Sequence, residues 1–166
     1  MRVGIGYDIH RLVEGRRLVL GGVEFPGSRG LLGHSDADAV LHAVTDAILG
    51  AAAMGDIGQH FPDTSEENRG IDSSVILEDI VRKVQDRSMR VHNVDINMIA
   101  EYPRLADRRE QMRERIAEIL NVSLGQVSLK ARSSEGMGPV GREEAIEAQA
   151  VVLLTGDGGN SPGEED

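Results

Sequence analysis

The sequence predicts an α+β fold: a two-layer domain with one mixed β-sheet and helices packed on one of its faces. Three observations lead there. Stretches of period-2 alternation interleave with stretches of helical period, with no repeat and no linker to divide the chain. The run from Asp36 to Ala53 is apolar almost all round, as a helix buried on most of its surface must be. Aromatic residues make up only 2% of the 166 residues, so the core must be built from Val, Ile, Leu and Ala.

Taken in order, Val3 to His10 alternates as a first strand, and Arg17 to Phe25 reads as a hairpin turning at Gly21-Gly22. Ser35 is the expected cap of the helix Asp36 to Ala53. A loop rich in Gly, Pro and Asp follows from Gly55 to Gly70, long enough to be suspected of function. Asp72 or Ser73 caps a second helix to about Ser88, striped by Ile76, Ile80, Val81 and Val84. Val91 to Glu101 is a strand with Val94, Ile96, Met98 and Ala100 on one face. A helix over Ala106 to Leu120, a strand over Gln126 to Arg132, a Gly-rich loop and a strand over Glu144 to Leu154 complete the pattern. Residues 1–155 thus read as a single domain, and the acidic, Gly-rich residues 156–166 as a disordered tail.

Composition removes several function classes. A formal charge of −10 argues against nucleic-acid binding, which wants a basic surface. It leaves room for an anionic small molecule, because a metal ion and a few local bases can dominate a cleft. No stretch approaches the ~20 apolar residues of a membrane span, and the N-terminus carries no signal-peptide pattern. With no cysteine there is neither a disulfide framework nor a thiolate metal site. Any metal must use His and carboxylates, and the expected location is the cytoplasm.

Three segments carry chemistry. Asp8 and His10, two apart on the first strand, leave the same face. Asp38, His42 and Asp46 form a polar stripe at i, i+4 and i+8 on the buried helix, with His34 just before it. Buried charge without partners is costly. A metal held by His42 and oriented by neighbouring carboxylates resolves that cost. Asp8, His10 and His42 then form a two-His, one-carboxylate set with an open position, as in catalytic zinc sites; iron(II) uses a similar triad. The second segment runs from Ser128 to Arg142, where Lys130 and Arg132 share a strand face and a Gly-rich loop follows. Hydroxyls, backbone N–H groups and Arg suit a phosphate, and Glu135 suits a magnesium bridging phosphate oxygens. The third is Gly55 to Thr64, where Asp56 and Asp63 are placed to grip hydroxyls or to take part in acid–base chemistry.

Together these segments resemble the 2-C-methyl-D-erythritol 2,4-cyclodiphosphate synthase family over about residues 1–154. The resemblance rests on Gly6-Tyr7-Asp8-Ile9-His10, on His34-Ser35-Asp36-Ala37-Asp38 with His42-Ala43 and Asp46-Ala47, and on Gly55-Asp56-Ile57-Gly58. Phe61-Pro62-Asp63-Thr64, Lys130-Ala131, Glu135 and Gly141-Arg142 continue it. It implies a homotrimer with each active site at a subunit interface. It also implies the reaction: the 2-phosphate of a CDP-linked methylerythritol attacks the β-phosphorus, expels CMP and closes a cyclic diphosphate in non-mevalonate isoprenoid biosynthesis. A zinc-hydroxide phosphoesterase would instead release inorganic phosphate.

Carried over residue by residue, the resemblance implies one zinc per subunit on Asp8, His10 and His42. It places His34, Ser35 and Ser133 on phosphates and Glu135 on the magnesium or manganese that accompanies the diphosphate. Asp56, Ile57 and Gly58 would meet the erythritol hydroxyls, with Phe61 and Asp63 nearby. Ala100, Pro103, Arg104, Leu105 and Ala131 would frame the cytosine, with Ser134 beside them, and Arg142 would lie where three chains approach. The chain departs from the usual pattern at Arg132 and Ser133, often Thr in the family, and at Pro139, often Phe. Ser133 keeps the hydroxyl, Arg132 changes both shape and charge, and Pro139 alters the lining of the cavity on the trimer axis.

Overall fold

In the computed structural model, residues 1–62 and 64–156 are described, apart from the side chain of Glu67. Asp63 and residues 157–166 lie outside them, and with them the expectations for Asp63 and for the acidic tail. The elements in chain order are β1 (Arg2–Glu14), β2 (Leu18–Leu20), β3 (Val23–Phe25), β4 (Arg29–Leu31), α1 (Ala39–Ala52), α2 (Ile57–His60), α3 (Ser73–Gln85), β5 (Met89–Ile99), α4 (Arg109–Leu120), β6 (Val127–Arg132), α5 (Gly138–Gly141) and β7 (Ala145–Gly156). Short 3-10 turns lie at Glu66–Asn68, Leu105–Arg108 and Leu124–Gln126.

A five-stranded sheet runs β4-β1-β7-β5-β6, all antiparallel except β5 with β6, so it is mixed as expected. The single-sheet expectation needs correction: β2 and β3 form a separate two-stranded ribbon. Its turn is Gly21-Gly22 at φ 58° and 72°, the left-handed pair that a two-residue hairpin demands. The edge strand β4 was not expected; three residues are too few to show a period.

Helix α1 lies directly on β1. At Gly4 and Gly6 a Cβ would stand 2.0 Å and 1.9 Å from the backbone carbonyls of Ala47 and Ala43, so only glycine lets the helix come this close. The even-numbered residues of β1 face the helix, which is why Asp8 and His10, further along the same face, meet the N-terminal half of α1. α3 packs on α1, and Leu77, Ile80 and Val84 close the core with Ile96, Met98 and Met112.

The start of α1 differs from the expectation. Asp38, not Ser35, is the N-cap, with its carboxylate accepting from the Val40 and Leu41 amides, and the helix begins at Ala39 rather than Asp36. The same carboxylate also accepts from Gly21 N (2.9 Å) and Gly22 N (2.7 Å), tying the ribbon's turn to the helix end.

Candidate metal centre and active site

Three ligand atoms converge between β1 and α1. Asp8 Oδ2 is 2.9 Å from His10 Nε2 and 2.9 Å from His42 Nδ1, and the two nitrogens are 3.2 Å apart. The outer nitrogen of each ring is engaged elsewhere. His10 Nδ1 lies 2.9 Å from Leu32 O, a pure acceptor, so this nitrogen carries the proton. His42 Nε2 lies 2.9 Å from Ser73 Oγ and 3.2 Å from Ser35 Oγ. His10 Nε2 therefore turns a lone pair toward the carboxylate oxygen, and His42 Nδ1 does the same when its Nε2–H is given to a serine.

Three acceptors this close repel one another unless a cation or a proton joins them. Ligand atoms around a tetrahedral zinc at 2.0–2.1 Å stand about 3.3 Å apart, close to the spacing here. The donor set thus fits a divalent metal ion, and among the described residues it is the one cluster of its kind. Without a metal, burial pushes the Asp8 carboxyl up and the His10 and His42 rings hold it down at about 2, which requires them to turn N–H groups rather than lone pairs toward it. Burial lowers His10, and Asp8 more than offsets this, so its pKa is raised.

The expected second layer needs correction. Asp38 and Asp46 do not orient His42. Asp38 is consumed by four backbone amides, and Asp46 Oδ1 accepts from Ile57 N at 2.8 Å. Asp46 instead fixes the start of α2, whose Ile57 and Gly58 line the cleft beside the triad. That cleft, of about 230 Å³, is bounded by Asp8, His10, His34, Ser35, His42, Ile57, Gly58 and Phe61, with Asn68, Ile71 and Ile76. Asp56 does not line it: its carboxylate caps α2 and accepts from Gln59 N and Nε2 at 3.0 and 3.1 Å.

A second concavity of about 250 Å³ lies at the ends of β5 and β6, lined by Ala100, Glu101, Pro103, Arg104, Leu105, Ala131, Arg132 and Ser133. It shares no residue with the first. Asp8 pairs with Ala148, Ala148 with Met98 and Met98 with Ala131, which puts the two pockets three strand spacings apart, roughly 14 Å. Ser133 Oγ donates to Glu135 Oε1 at 2.6 Å, and Ser134 N donates to Glu101 Oε1 at 2.9 Å. Lys130 faces the other side of the sheet and pairs with Asp95 at 2.6 Å. Arg142 is exposed and paired with Glu144 at 2.9 Å, away from both pockets.

The profile of the YgbB family matches residues 1–155. The chain belongs to this family. It is 56% identical over 154 residues to a 2-C-methyl-D-erythritol 2,4-cyclodiphosphate synthase of Syntrophomonas wolfei, covering 93% of this chain and 98% of that one. The same enzyme of Alkaliphilus metalliredigens is 54% identical, covering 93% and 97%. A solved structure of 2C-methyl-D-erythritol-2,4-cyclodiphosphate synthase in a CDP-bound form superposes with a TM-score of 0.86 at 37% identity, covering 93% of this chain and 100% of that one.

Within this YgbB family member, Glu101 makes a contact the sequence did not suggest, tying the 133–136 loop to the end of β5 through the Ser134 and Gly136 amides. Nor did the sequence suggest Asp36 and Ser73 as neighbours of His42, where Ser73 Oγ contacts both its Nε2 and Asp36 Oδ1. No spacing rule links Glu101 to a loop 33 residues on, or His42 to a serine 31 residues on. Among the described residues no helix is long and apolar enough to cross a membrane.

Proposed function

We propose that the chain is a 2-C-methyl-D-erythritol 2,4-cyclodiphosphate synthase that releases CMP from 4-diphosphocytidyl-2-C-methyl-D-erythritol 2-phosphate in non-mevalonate isoprenoid biosynthesis. The observation that carries this reading is the three-donor cluster of Asp8, His10 and His42 opening onto a cleft lined by His34, Ser35, Ile57 and Gly58. Its identity to named synthases, over nearly their whole length, supports it.

Asp8, His10 and His42 would hold zinc, and Glu135 a magnesium or manganese ion brought with the diphosphate. When bound, these cations supply Lewis-acid neutralisation of phosphate charge. The remaining work falls to the chain. His34 and Ser35 hold the 2-phosphate, and Ile57 and Gly58 hold the polyol. Asp56 joins them once the substrate's hydroxyls replace Gln59 as its partner. The second pocket takes the cytidine, with Arg104 and Arg132 beside its phosphates. A 2-phosphate oxygen forms a bond to the β-phosphorus, and the bond from that phosphorus to the CMP oxygen breaks. No water and no enzyme nucleophile takes part, so catalysis is folding of the substrate and stabilisation of charge.

Assembly belongs to the same reading. The sheet face away from the helices carries Val3, Ile5, Tyr7, Ile9 and Val151 in the open, and an exposed apolar patch of this kind marks an interface. Asp95 Oδ1 and Asn97 Oδ1, on the same face, are buried without hydrogen-bond partners, which donors of a neighbouring chain would satisfy. Three copies packed by this face, each completing its neighbour's site, suit a single-domain enzyme of the cytoplasm built from residues 1–155.

Phosphorus NMR of a reaction with the CDP-linked 2-phosphate, zinc and magnesium tests the proposal. The expected products are CMP and a cyclic diphosphate. Inorganic phosphate, or an unchanged spectrum, would overturn it.

A further inference from the structure

We propose that Asp36 and Ser73 form a carboxylate–hydroxyl–imidazole relay that locks His42 in the tautomer able to bind metal through Nδ1. The inference rests on the metal reading of the site and adds positioning residues to it.

The donor count carries the argument. A serine hydroxyl has one proton and two lone pairs. Ser73 Oγ gives its proton to Asp36 Oδ1, the stronger acceptor of its two partners. Toward His42 it has only lone pairs left, so it accepts the Nε2–H at 2.9 Å. His42 Nδ1 is then bare, and it is the atom 2.9 Å from Asp8 Oδ2. Metal-bound histidines commonly pass their second N–H to a carboxylate, which fixes the ring and raises its basicity. Here a serine stands between ring and carboxylate.

The serine has no competing duty. The α3 cap is Asp72, whose carboxylate accepts from Ser74 N at 2.8 Å, so the Ser73 hydroxyl is not needed to start the helix. Ser73 is 1% exposed, so bulk water does not compete for these contacts. Asp36 is held in turn: its other oxygen accepts from Ser73 N at 3.2 Å, and its own amide donates to Ile71 O at 3.1 Å. The relay therefore joins the metal ligand to the junction of the 61–72 segment with α3. Ser35 Oγ, at 3.2 Å from the same nitrogen, already accepts from Ala37 N and is the weaker partner.

Zinc affinity of the apo full-length chain, measured by competition with a chromophoric chelator, is the test. Ser73→Ala and Asp36→Asn should each weaken zinc binding by about 10-fold to 100-fold. The double variant should lose little more than either single one, because the two residues act as one unit. Nitrogen-15 NMR of the zinc-loaded wild type should show His42 protonated at Nε2 alone. Additive losses, or proton signals from Nδ1, would overturn the relay. Should Ser73→Ala unfold, Asp36→Asn with the NMR signature decides alone. Wild type that takes up no zinc would overturn the metal reading and the relay together. Wild type that takes it up, with variants binding equally well, overturns the relay only.

Discussion

At the residue scale, the site depends on how closely α1 can approach β1, and that distance is set by Gly4 and Gly6. A Cβ on Gly6 would meet Ala43 O at 1.9 Å and Ala47 N at 2.7 Å, both backbone atoms that cannot rotate aside. Gly6→Ala should therefore lift the helix and separate His42 from Asp8. The expected cost is about 3 kcal/mol in urea unfolding. Gly125→Ala, where nothing lies within 4 Å, should stay within about 0.5 kcal/mol. Equal effects would mean that the close approach is not what limits the helix. The triad itself was legible in the sequence because it obeys simple rules: two ligands at i and i+2 on a strand, and one histidine on a helix too apolar to carry it idly. Ser73 and Glu101 obey no such rule. Their contacts are made by the fold, across 31 and 33 residues. Asp56 was legible as polar and loop-borne, but its side chain caps α2 rather than lining the cleft.

At the element scale, most of the helices and strands could be read from period and punctuation, and their ends could not. The apolar run from Ala37 marked α1, yet Ser35, Asp36 and Asp38 are all good caps by type. Choosing among them requires knowing that the Gly21-Gly22 turn comes to rest beside Asp38. The same ignorance made Asp38 look like part of a metal-facing stripe. It is fully buried, and its four amide donors resolve the cost of a buried carboxylate that had seemed to call for a metal. Asp38→Ala would strand those amides and uncouple the ribbon from α1. A loss of about 3 kcal/mol or more is expected in chemical denaturation, since a buried amide left without its partner costs about 1–3 kcal/mol. A change below about 1 kcal/mol, the ordinary worth of one N-cap, would show that the ties to Gly21 and Gly22 contribute nothing.

At the scale of the whole molecule, one sheet has two unlike faces, and the alternation that revealed the strands also encoded this. On the helix side, Gly4 and Gly6 of β1 and Ile146, Ala148, Ala150, Val152 and Leu154 of β7 are buried, while the opposite side shows Val3 at 69% and Ile5 at 74% exposure. A lone chain would hold this surface in water beside two orphaned acceptors on β5. Both features are relieved if the face is shared between copies. Ile5→Lys tests this cleanly, because the side chain lies on the sheet face opposite to the helix-side core and to Asp8 and His10. Desolvating a lysine there would oppose packing without harming the fold of one chain. Sedimentation of the variant should show monomers where the wild type shows the proposed trimer, and cyclisation should fall with it, while zinc remains at one ion per chain. Loss of turnover with the trimer intact would mean that the face acts in some other way. Full turnover by a monomer would place the complete active site within a single chain.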